Sequence, residues 1–139
     1  MSAEQPGGNV ASAVATLGTA LYSVDIRTGH HRFVADEPAS TGGGDVGPSP
    51  FGLLLSSLGA CTAITLRMYA ERKAWPLTGV EVTLIYRWID DVPSIERRIR
   101  IDGLDETQRA RCGEIAEKTP VTRALKRGIE IRTTLTARE

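Results

Sequence analysis

Between Leu53 and Ala70 the chain reads LLLSSLGACTAITLRMYA, with one cation, Arg67, and no anion. Leu54, Leu58, Cys61, Ile64, Thr65 and Met68 recur at three- and four-residue spacing, which places them on or near one face of a helix. Ser49-Pro50 predicts its start, because a serine hydroxyl accepts from free amides and proline fits the first helical position. Trp75-Pro76 predicts its stop, with Arg72 and Lys73 in the last turn. A second flank carries Ser56, Gly59, Ala60 and Ala63, small enough for another element to come close.

Elsewhere the period changes to two. Leu21–Ile26 alternates apolar and polar, Thr28-Gly29 reads as a turn, and His31–Ala35 completes a hairpin. Glu37 to Pro50 is an aperiodic Gly- and Pro-rich loop. Val80–Trp88 alternates again, and after a turn at Asp90–Ser94 so do Ile95, Ile99 and Ile101, closed by Asp102-Gly103. Leu104–Lys118 returns to helical spacing, with Leu104, Cys112, Ile115 and Thr119 on one face. Thr119 before Pro120 predicts the cap of a short helix ending near Gly128, and Ile129, Ile131, Thr133 and Leu135 predict a last strand. The order ββ–α–ββ–α–α–β defines an α+β protein with mostly antiparallel sheet. Residues 1–10 read as a flexible leader, and 11–139 as a single domain.

A helix that is apolar nearly all round needs cover nearly all round. With only one other substantial helix in the chain, that cover calls for a second copy, so the pattern predicts a two-fold dimer. A membrane span is the other reading of the run: Pro50–Leu66 is uncharged for 17 residues, at the lower limit for crossing a bilayer. Its glycines, hydroxyl residues and lack of a second apolar run favour a core helix. Seventeen basic and seventeen acidic side chains cancel, which gives nucleic acid or an anionic membrane no field to follow. The start of the chain lacks the basic and apolar regions of a signal peptide. Two cysteines do not make a secreted disulfide framework. The expected setting is therefore cytoplasmic, with reduced thiols.

Cys61 has two readings, a small core residue or a reactive thiol. It lies about three turns into its helix, too far for that helix's own N-terminus to act on it; a cation would have to come from another element. Cys112 reads as a core residue between Leu104 and Ile115. His30 and His31 point to opposite faces of a strand, so no metal site is expected, and no cofactor. Gly42-Gly43-Gly44-Asp45 lacks the lysine and spacing of a phosphate loop.

Three stretches are similar to one family. GGGDVGPSPFGLLLSSLGACTAITLRMYAERKAWPL resembles the central helix of the OsmC/Ohr superfamily, with its GP-x-P-(F/Y)-E-LLL-x-x-LGAC-T pattern. ERRIRIDGLDETQRARCGEIAEKTPVTRAL resembles its second helix, which usually carries K-C-P-V-H-R-T-L. His30–Pro38 looks like its G-H-x-x-x-A-D-E-P strand. The likeness spans about residues 16 to 136. It implies an intertwined two-fold dimer with the long central helix buried and sites at the subunit interface. It also implies reduction of organic hydroperoxides by two cysteines, an attacking thiol oxidised to a sulfenic acid and a resolving thiol that condenses with it. Cys61 matches the attacking position. Thr119 stands at the resolving position, where no redox activity is expected of it; Thr122 replaces a histidine and Gly52 a glutamate.

No arginine occurs in Thr16–Ala20, where some members carry one; Arg27, Arg32 and Arg123 are the candidate thiolate-stabilising cations. Cys112 precedes position 119 by seven residues, about 10 Å along a helix, whereas a disulfide needs Cα atoms within roughly 7 Å. Two functions follow. One is a one-cysteine organic hydroperoxide reductase (a thiol-dependent peroxidase) using Cys61 and an external thiol reductant. The other is a non-catalytic homodimer that holds an apolar small molecule at its interface.

Overall fold

The computed structural model describes residues 10–137. The expected leader falls outside the described residues except for its last position, Val10. Two compact units organise the chain, one of residues up to Ser57 with Leu84–Arg97, the other of Leu58–Thr83 with Arg98 onward. A long helix and a long hairpin each contribute to both.

The first unit begins with a three-stranded antiparallel sheet in the order β1 (Val14–Leu17), β2 (Val24–Thr28), β3 (His31–Ala35). The β2–β3 hairpin is the expected one, turning through Gly29 at φ +58°. β1 was not expected. Its four residues VATL show little alternation and all are exposed, so only pairing with β2 defines it. After β3, Asp36 is buried, and its carboxylate accepts from the N–H groups of Glu37 at 2.7 Å and Val46 at 3.3 Å. That brace folds the predicted loop back on itself. A Cβ on Gly47 would fall 1.9 Å from the Val34 carbonyl oxygen, so this loop owes its glycine to close approach.

Helix α1 (Pro50–Arg72) starts and stops where the sequence places it. Ser49 Oγ accepts from the Gly52 N–H at 3.0 Å, satisfying one free amide of the first turn. Its buried residues are Leu58, Thr62, Thr65, Leu66 and Ala70. On the other side of the helix, Ile64 is 55% and Met68 49% exposed. Contacts within the chain select the stripe through Leu58, Thr62 and Leu66 and leave the apolar stripe through Ile64 and Met68 uncovered.

β4 (Gly79–Ile89) and β5 (Val92–Asp102) form a two-stranded ladder. Its tip is tighter than expected, a two-residue turn with Asp90 and Asp91 at φ +49° and +65°, the left-handed pair a hairpin turn of this length favours. β5 ends at Gly103, φ +92°, where a Cβ would meet the Pro76 carbonyl oxygen at 2.3 Å. Helix α2 (Glu106–Ala116) opens with a capping box: Asp105 accepts from the Gln108 N–H at 2.8 Å, and the Gln108 side chain accepts from the Asp105 N–H at 3.0 Å. Helix α3 (Pro120–Arg127) follows. The second unit's core joins Leu66 and Ala70 of α1 to Leu77, Leu104, Cys112 and Ile115, with Tyr69, Trp75, Val80, Ile99 and Ile101 packed against it.

The last predicted strand is not formed. Residues 128–137 carry neither helix nor strand, and Ile129, Ile131 and Leu135 are 66%, 84% and 94% exposed. Alternation suits a strand, but a strand needs a neighbour to pair with, and the described chain supplies none here. The architecture remains α+β with antiparallel sheets and one long helix.

Candidate functional site

Cys61 lies in the middle of α1, half-buried and free. Its sulfur accepts the Val121 N–H at 3.5 Å. Val121 is the second residue of α3, so this amide is one of those a helix leaves without an internal partner. The sulfur thus faces the positive end of a helix dipole, although not that of its own helix. Local sequence builds the arrangement: Pro120 fixes φ at the first position of α3, and Thr119 supplies the extended residue before it, φ −68° and ψ +151°.

Thr119 is the N-cap of α3 but makes no side-chain cap, contrary to expectation. Its hydroxyl is fully buried and turns instead to the Thr122 hydroxyl at 2.6 Å and the Ala116 carbonyl at 3.4 Å. Thr122 Oγ1 also reaches the Ala116 carbonyl, at 3.3 Å. The two positions at which this chain departs from the Cys and His of the resembled motif therefore touch one another. A cysteine and an imidazole have been exchanged for a pair of mutually satisfied hydroxyls, which can accept and donate hydrogen bonds but carry no thiol chemistry.

Cys112 is fully buried in the α2 core beside Leu66 and Ile115, and burial pushes its thiol above the ordinary range. A buried, less acidic thiol is a packing residue rather than a nucleophile, as its sequence position between Leu104 and Ile115 indicates. Arg123 is exposed on α3, two residues beyond Val121. Arg32 belongs to the first unit, on β3 directly opposite Arg27. The structure thus brings Cys61 to the turn at 119–122. Sequence reasoning looked for a cationic side chain beside Cys61 and missed the backbone amide of Val121. The signal was present in Thr119-Pro120, which marks a helix start and hence a cluster of free N–H groups. Among the described residues, no group of three His, Cys, Asp or Glu could hold a metal ion.

Comparison with known proteins identifies the architecture. The family model described as OsmC-like protein matches residues 42–134, a span that includes α1, the β4–β5 hairpin, α2 and α3. The chain belongs to the OsmC-like protein family. Three solved structures share the fold: an OsmC-like protein from Mycoplasma pneumoniae, 18% identical with TM-score 0.69, covering 85% of this chain and 88% of that one; the organic hydroperoxide resistance protein OsmC from Legionella pneumophila, 19% identical with TM-score 0.66, over 85% and 90%; and the organic hydroperoxide resistance protein OhrB of Bacillus subtilis, 20% identical with TM-score 0.60, over 85% and 91%. No curated protein matches the chain in sequence. By length and composition α1 could cross a membrane, but its position inside the family match and the seating of Leu66 and Ala70 in a protein core make it the central helix of this fold.

Proposed function

We propose that this protein is a one-cysteine thiol peroxidase acting on small organic hydroperoxides. The observation that carries the reading is the half-buried Cys61 sulfur accepting a free N–H from the first turn of α3, a geometry suited to negative charge on sulfur. Kinship supports it, since two proteins of this fold are organic hydroperoxide resistance proteins. The Cys61 thiolate attacks the terminal, hydrogen-bearing oxygen of ROOH; the O–O bond breaks, the alkoxide leaves and takes a proton from solvent to become ROH, and the sulfur becomes a sulfenic acid. With Thr119 at the resolving position, an external thiol condenses with that sulfenic acid, releasing water and forming a mixed disulfide. A second external thiol then displaces Cys61 and carries away the disulfide. The active form is a homodimer, in which a second copy covers the exposed Ile64 and Met68 stripe of α1.

The test is the rate at which the purified protein loses its Cys61 thiol to cumene hydroperoxide, relative to free cysteine. The expected rate is well above that of free cysteine. Val121→Pro removes the N–H while keeping a residue that the first helical turn tolerates, and is expected to slow the reaction about tenfold, the value of one hydrogen bond to a charged acceptor. A thiol consumed no faster than free cysteine would instead favour a non-catalytic dimer holding an apolar molecule. A rate unchanged by Val121→Pro would remove the amide from the mechanism.

A further inference from the structure

We propose that one face of the β1–β2–β3 sheet binds a small organic monocarboxylate through Arg27 and Arg32. The two arginines stand directly opposite each other across the β2–β3 ladder, and Val14 stands opposite Arg27 on the other side. The next row on that face, two residues along each strand, is Thr16, Asp25 and Val34. All six residues line one groove of the first unit. Like charges directly opposite destabilise a ladder, and among the described residues neither guanidinium has an ion-pair partner. Asp25 shares the face without pairing to either arginine.

This arrangement selects its ligand. Opposed residues have their Cβ atoms about 5 Å apart, so the two planar forks rise side by side and can share the oxygens of one carboxylate. Asp25, one row away, opposes a second negative charge and so disfavours a phosphate dianion. Val14 and Val34, at opposite corners of the two rows, offer apolar surface to a short hydrocarbon tail.

The experiment is a titration of the full-length protein with sodium hexanoate, read by the arginine side-chain N–H resonances, against inorganic phosphate at matched ionic strength. Hexanoate is expected to saturate the Arg27 and Arg32 signals in the millimolar range, about 1–10 mM. Arg27→Gln and Arg32→Gln should each weaken it about fivefold or more. Arg27→Lys, which keeps the charge and the ladder, should weaken it as well because the fork is lost. Shifts that never saturate, an equal response to phosphate, or affinities unchanged in the Gln or Lys variants would each overturn the site. None of these readouts depends on whether Cys61 reduces a hydroperoxide.

Discussion

A single amide decides how Cys61 is to be read. In sequence the cysteine sits mid-helix among apolar neighbours, where packing is the default explanation; in space it meets the one part of α3 that presents an unpaired donor. The same turn shows what has been lost. Thr119 and Thr122 satisfy each other and the Ala116 carbonyl, and no thiol stands at this turn. Thr119→Cys is therefore expected to restore an internal cycle. One equivalent of hydroperoxide should then consume both the Cys61 thiol and the introduced one, and mass analysis should show a disulfide, two mass units lighter than the dithiol. A variant that still accumulates only a sulfenic acid at Cys61 would show that the turn holds position 119 out of reach.

At the scale of elements, periodicity and caps did most of the predictive work. The start of α1 was legible because Ser49 and Pro50 each solve a definite backbone problem, and the α2–α3 break was legible in Thr119-Pro120. β1 was illegible because pairing, not composition, creates it. Residues 129–135 read as a strand because alternation reports a preference and says nothing of a partner. Which stripe of α1 this chain buries was illegible for a related reason: on a helix apolar on several sides, neighbours and not hydropathy choose the stripe. α2 offers a clean test of propensity. Gly113 lies in its middle, and a Cβ there would meet nothing within 4 Å. Gly113→Ala should stabilise the protein by about 0.5–1 kcal/mol through a less flexible unfolded chain and better helix propensity. Urea unfolding gives the number, and a lower midpoint would contradict the open space around that position.

At the scale of the whole molecule, several large apolar side chains stand exposed among the described residues. Ile64 and Met68 on α1, Trp88 and Ile89 on β4, and Ile129, Ile131 and Leu135 near the end of the chain are all exposed, and such surface commonly marks an interface. We expect sedimentation equilibrium at micromolar concentration to return twice the 15.0 kDa of one chain, with thermal stability rising with concentration. Ile64→Glu, placed on the uncovered stripe, should shift the mass toward one chain, whereas Cys61→Ser should leave it unchanged. A one-chain mass for the unaltered protein at every concentration would end the dimer proposal.

The pair of hydroxyls at Thr119 and Thr122 carries one more implication. Alcohols cannot supply the electrons that reduce an oxidised sulfur, so in the proposed reaction regeneration is handed to whichever soluble sulfhydryl is small enough to enter. Supply would then set how long the oxidised form survives. Under scarcity a peroxidase of the proposed kind would drift toward irreversible sulfinic acid, which would make its working life a measure of the thiol wealth around it.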